Sequence, residues 1–197
     1  MGDILSDWYN QEFHPVVHMP EDYEVLDLSK GLWNEPKTEF SIGKYDELRP
    51  NMYKTELFEK GREIHMGVDI GGPIGTPCMA FADGEISHFG YNPDPGDYGN
   101  VVITRHDFSG TVVWALYGHL DSASIDDKKV GQKILAGDII AWFGDFSENG
   151  GWDPHLHFQL SLIEPETHDL PGVVTSEGRA QALIDYPDPR LVLGEIY

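Results

Sequence analysis

Four of the nine histidines in this 197-residue chain fall in places where they could do chemistry together. The first lies in His65-Met66-Gly67-Val68-Asp69. On an extended strand, positions i, i+2 and i+4 share a face. His65 and Asp69 would then point the same way, and Gly67 between them, lacking a side chain, would leave clearance beneath an ion. Two more lie in Pro154-His155-Leu156-His157-Phe158-Gln159-Leu160. Alternation puts His155, His157 and Gln159 on one face and turns Leu156, Phe158 and Leu160 toward a core. Two imidazoles on one polar strand face call for a metal, a carboxylate or a substrate. The fourth, His119, ends the hydrophobic run Trp114-Ala115-Leu116-Tyr117-Gly118 where it meets a loop.

Two histidines and a carboxylate form a catalytic zinc set, because three protein ligands leave one tetrahedral position open for water. Zinc lowers the pKa of such a water to about 7 and polarises a carbonyl. Further histidines nearby suit acid–base work, since imidazole titrates near neutrality. Each pattern alone is common by chance. The two together, with Gly118-His119 between them, are far more specific.

Short strands are the elements that would carry these residues. Met79–Phe81, Val101–Arg105, Thr111–Tyr117, Ile139–Phe143 and His155–Leu162 read as strands separated by turn signals such as Asp83-Gly84 and Gly137-Asp138. Val130–Asp138 reads as one hairpin with a glycine at each corner. Residues 1–60, punctuated by Pro15, Pro20, Pro36 and Pro50, read as an irregular arm packing on the core, with a short helix within Tyr45–Lys60. A second short helix is expected at Ser176–Leu183. The body is thus an antiparallel all-β domain, residues 61–197, making one structural domain with the arm.

Composition narrows the partners. Thirteen Lys and Arg against 34 Asp and Glu give a net charge of −21. Nucleic acid and anionic membranes would repel such a chain, so neither nucleic-acid binding nor membrane insertion is expected. The single cysteine, Cys78, excludes a disulfide framework and a cysteine-based zinc site. The N-terminal MGDILSDWYNQEF has no basic region followed by an apolar run, so the expected location is the cytoplasm, with export only by a signal-independent route. The Gly-x-Ser-x-Gly elbow, the phosphate loop and the His-Glu-x-x-His helix motif are all missing from the sequence.

With those residues in view, the chain resembles the lysostaphin-type, or LytM-like, zinc metalloendopeptidases. Their pattern is His-x-Gly-x-Asp, then Gly-His-Leu, then Pro-His-Leu-His-Phe. All three occur here in that order, within a dense likeness over Glu63–Leu162. The resemblance implies an antiparallel, barrel-like peptidase core and one zinc ion held by His65, Asp69 and His157. It implies that His119 and His155 are catalytic histidines outside the ligand set. It further implies cleavage of a peptide bond by a zinc-activated water, with peptidoglycan cross-links or other small-residue, Gly-containing peptides as substrate. The chain departs from wall-lytic members in its acidity and in Asn149-Gly150-Gly151-Trp152-Asp153-Pro154, which replaces the usual Ser-Thr-Gly-Pro and alters the cleft rim. The alternatives are a cytosolic metallohydrolase acting on a non-wall amide, and a non-catalytic LytM-like binding module.

Overall fold

The longest pair of strands forms around Ser109-Gly110. Both residues have positive φ, 55° and 97°, and Phe108 pairs with Thr111 across them. That is the backbone twist of a two-residue hairpin turn. The computed structural model describes residues 8, 11–31, 34–58 and 61–197. Most of the stretch bearing on a leader (1–7, 9 and 10), and the end of the expected Tyr45–Lys60 helix, lie outside the described residues.

The strands run in order as β1 Glu24–Val25, β2 Ser41–Gly43, β3 Glu47–Leu48, β4 Arg62–His65, β5 Val68–Gly71, β6 Pro77–Met79 and β7 Gly84–Asn92. They continue as β8 Gly99–Phe108, β9 Thr111–Leu120, β10 Lys133–Ile134, β11 Ile139–Trp142, β12 His155–Ser161 and β13 Val173–Thr175. Two helices, α1 Arg179–Asp185 and α2 Arg190–Leu193, close the chain. The main sheet has the order β1-β2-β5-β12-β9-β8-β7-β10. Two small sheets, β11-β6 and β13-β4-β3, pack beside it.

The all-β expectation holds, with an open sheet rather than a closed barrel and one parallel pair, β1 with β2. One face of the sheet buries Ile42, Ile70, Phe81, Leu120, Phe143, Leu156 and Phe158. Each such side chain contributes about 1.5–3 kcal/mol by leaving water. The other face is also covered, by a cluster of Tyr98, Val101, Ile103, Trp114, Leu116 and Leu170. Trp8, Val16, Val17 and Phe40 from the first sixty residues lie in the main core, and β2 pairs directly with β5.

Three local expectations differ from the structure. Val130–Asp138 is not one hairpin: β10 pairs with Gly84–Glu85 of β7, whereas β11 pairs with β6. Both glycines do turn the chain, but Gly131 leads from a loop into β10, and only the turn at Gly137 joins two strands, β10 of the main sheet and β11 of a small one. The described part of Tyr45–Lys60 holds β3 and a 3-10 turn at Glu56–Phe58 rather than an α-helix. The tail helix begins at Arg179, and a second helix follows it.

Candidate metal centre

His65 and Asp69 do not share one strand. β4 ends at His65 in a small sheet, and β5 begins at Val68 in the main sheet. The chain crosses between sheets at Met66-Gly67. Gly67 is required there for a reason other than room for an ion. A Cβ on it would stand 2.5 Å from both Cε1 and Nε2 of His157. The His157 ring lies directly over the glycine.

β12 joins β5 on one side and β9 on the other, which pairs His157 with Asp69 and with Gly118. This register brings His65 Nε2, Asp69 Oδ1 and His157 Nδ1 into a triangle. The edges are 3.0 Å between the imidazole nitrogens and 3.1 Å from each nitrogen to the carboxylate oxygen. Among the described residues this is the one cluster of three such ligand atoms lying within 4.8 Å of one another.

Neighbouring groups decide where the protons are. His65 Nδ1–H donates to the carbonyl oxygen of Lys44 at 2.9 Å, which leaves Nε2 as a lone pair. His157 Nε2–H donates to Gln159 Oε1 at 3.1 Å, which leaves Nδ1 as a lone pair. The Gln159 amide is oriented by its own Nε2–H donating to Pro171 O. Asp69 offers only acceptors. Three lone pairs therefore face one another with no proton among them, an arrangement that a shared cation resolves. The size fits zinc: ligands about 2.0–2.1 Å from a tetrahedral ion lie about 3.3 Å apart.

Electrostatics agree. Burial pushes the His65 imidazole down to about 4, with the Arg49 cation adding to it, so the ring is neutral. Burial works against a charged Asp69, yet the surrounding His65, Arg49 and His157 hold its carboxyl well below the usual range. Arg49 Nη1–H donates to Asp69 Oδ2 at 2.7 Å.

His119 and His155 stand beside this triangle. Their ring centroids are 4.2 Å apart. His155 Nε2 is 3.8 Å from Asp69 Oδ1, outside the triangle. His155 Nδ1–H donates to Asp153 O, and His119 Nδ1–H donates to Asn149 O, each at 2.7 Å. Each ring therefore presents an Nε2 lone pair. Burial lowers both imidazoles, His119 well below its ordinary value, with the neighbouring histidines adding to the effect.

His119 reaches this place through a bulge. Asn100 pairs with Leu120 and Val102 with Tyr117, so Gly118 and His119 together oppose Val101. His119 has φ 63°, a left-handed conformation costing a non-glycine residue about 1–3 kcal/mol. The bulge turns the imidazole out of the sheet toward His155. Buried Asn149 ties down the 145–152 loop: its Oδ1 accepts the N–H groups of Gly151 and Trp152, and its Nδ2 donates to Trp152 O. All five residues line one cleft of about 950 Å³, together with Arg49, Tyr53 and Trp152.

Reading the sequence alone missed Arg49, Glu47 and Tyr53, and it placed Asn149 on the cleft rim without its bond to His119. The one legible sign was Glu47-Leu48-Arg49, whose alternation puts opposite charges on one strand face.

The family model for "Peptidase family M23" matches residues 63–168. The DD-carboxypeptidase/endopeptidase Mpg of Neisseria meningitidis serogroup B (strain MC58) is 32% identical over 155 residues, covering 77% of this chain and 32% of that protein. Lysostaphin of Staphylococcus staphylolyticus is 38% identical over 96 residues, 49% of this chain and 18% of that protein. Among solved structures, the catalytic domain of lysostaphin from Staphylococcus simulans overlays 68% of this chain and 81% of its own, at 26% identity and a TM-score of 0.46. The chain spans about a third or less of the length of these curated relatives.

Proposed function

This chain belongs to peptidase family M23, and on that premise we propose that it is a zinc-dependent endopeptidase with His65, Asp69 and His157 as zinc ligands and His119 and His155 as catalytic histidines. The observation that carries the reading is the convergence of three lone pairs whose outer atoms are already committed to Lys44, Gln159 and Arg49. Zinc held there would polarise a scissile carbonyl and lower the pKa of an attacking water to about 7.

The chain's own residues supply the rest. Neutral His119 and His155 each aim an unprotonated Nε2 into the cleft, so either can take a proton from the attacking water. Once protonated, that nitrogen donates to the developing oxyanion or to the departing amine. Their Nδ1 bonds to Asn149 O and Asp153 O fix the tautomer in which Nε2 is the base. A module that had become a mere scaffold would have no reason to keep both rings in that tautomer beside an intact ligand set.

The substrate we propose is a peptide bond in a peptidoglycan cross-link or a glycine-containing peptide, the class named for two similar proteins, a peptidoglycan DD-endopeptidase of Vibrio cholerae and a glycyl-glycine endopeptidase of Staphylococcus capitis. The −21 charge favours a second reading, an amide substrate away from the anionic wall. Incubating zinc-loaded protein with purified sacculi, with a panel of glycine-rich peptides and with glycine-free amides, followed by mass spectrometry, separates the two. New termini in sacculi or in the glycine-rich peptides support the first reading, and cleavage of a glycine-free amide with both of those left intact supports the second. No cleavage of any amide, with one zinc bound, contradicts both.

A further inference from the structure

The matched family span begins at residue 63, yet the metal-facing carboxylate is gripped from outside it. Arg49 is 3% exposed and engages all three nitrogens of its guanidinium. Its Nη1 donates to Asp69 Oδ2 at 2.7 Å and to Tyr53 Oη at 3.2 Å, its Nη2 to Lys44 O at 3.2 Å, and its Nε to Glu47 Oε2 at 3.0 Å. Glu47 is held in turn by the Leu28 N–H, at 3.1 Å, and by Lys44 Nζ. A second observation shows that space is kept for this grip. Gly43 pairs with Asp69 across β2 and β5, and a Cβ on Gly43 would stand 2.8 Å from Arg49 Nη2 and 3.0 Å from Asp69 Oδ2. A Cβ at that position would press on both the guanidinium and the carboxylate it holds.

We propose that Arg49 is a positioning residue that selects the metal: by holding Oδ2, it leaves Asp69 one oxygen for the ion and blocks two-oxygen ligation. A single carboxylate oxygen with two imidazoles suits a four-coordinate ion such as zinc. Manganese favours more oxygen ligands and gains from a carboxylate free to swing both oxygens inward. Lysine cannot substitute, because a point ammonium lacks the planar fork that reaches Glu47, Lys44 O and Asp69 together. This inference rests on the zinc-ligand assignment proposed above.

The test is a pair of competition titrations on the full chain, one with zinc and one with manganese, for wild type, Arg49→Met and Arg49→Lys. Both ions carry the same charge, so loss of a nearby cation shifts both affinities alike and leaves their ratio fixed. Freed ligation moves the ratio. The expected result is a zinc-over-manganese preference lower by about tenfold or more in Arg49→Met, the size typical of losing a partner behind a metal ligand. Circular dichroism checks folding. Should the methionine variant not fold, Arg49→Lys carries the test with the same fall expected at retained charge. An unchanged ratio in a folded variant overturns the proposal while leaving the metal site intact. A wild-type chain that binds neither ion overturns the site assignment and this proposal with it.

Discussion

The His65–Asp69–His157 triangle and the His119–His155 pair share one cleft but are built in opposite ways. The triangle sits on paired strands. Register sets Asp69 opposite His157, the chain crossing at Met66-Gly67 brings His65 beside them, and the three lone pairs point at one another. The pair is held by loop carbonyls, Asn149 O and Asp153 O, and one member sits on a strained bulge. Strand pairing fixes atoms to tenths of an ångström, which an ion needs. Loops and bulges aim a side chain at space that a substrate must enter. The contrast divides the histidines into two groups that residue type alone does not separate, and the roles proposed above follow that division.

The difference can be broken from the pair's side first. His119→Ala should keep its zinc yet lose about 10²–10⁴-fold in turnover, the range for removing a general acid or base. Elemental analysis beside a rate assay checks it, and zinc loss in this variant would erase the distinction between the two groups.

A smaller effect sharpens it from the triangle's side. Gln159→Leu removes the acceptor that keeps the proton on His157 Nε2. Zinc affinity should fall about 10–100-fold. Turnover at saturating zinc should change far less, and a competition titration separates the two. Equal losses in affinity and in saturated turnover would mean that Gln159 acts on substrate instead.

The smallest effect concerns a histidine of neither group. His106 is fully buried, donates from Nδ1 to Asp83 O at 3.0 Å and accepts at Nε2 from the Thr104 hydroxyl at 2.7 Å. Burial pushes it down to about 4, against about 6.5 unfolded. The unfolded chain therefore binds the proton more readily, so stability is full above about pH 6.5 and falls as pH drops toward 4. The loss is about 1.4 kcal/mol per pH unit in that window. Urea unfolding from pH 7 to 4 should show a shallower loss in His106→Phe than in wild type. Parallel curves would mean that His106 is not the titrating group.

How much of this was legible follows from range. The His155–Gln159 alternation is local, and it correctly separated the site face from Leu156, Phe158 and Leu160. On its polar face His157 and Gln159 proved buried as well, Gln159 meeting Pro171 O, and His155 is half-buried. The His65–Asp69 spacing was legible, but the strand it implied was not. The break at Gly67 answers to the His157 ring, 90 residues on in the chain. The same limit misjoined β10 and β11, since a turn signal says that the chain reverses and not which strand it meets. The partner of Arg49 was hidden for that reason: Arg49 follows β3 of a small sheet, and its partner Asp69 lies in β5 of the main sheet, a contact that nothing within a few residues of either announces.

The most direct test of the central claim is the zinc content of purified His157→Ala beside His155→Ala. The two histidines are neighbours on one strand face, but His155 bonds Asp153 O through Nδ1 whereas His157 bonds Gln159 through Nε2, so each turns a different nitrogen toward the cleft. With one zinc per wild-type chain, His155→Ala should retain close to one and His157→Ala should retain almost none. Zinc kept by His157→Ala, or lost equally by both, would contradict the assignment.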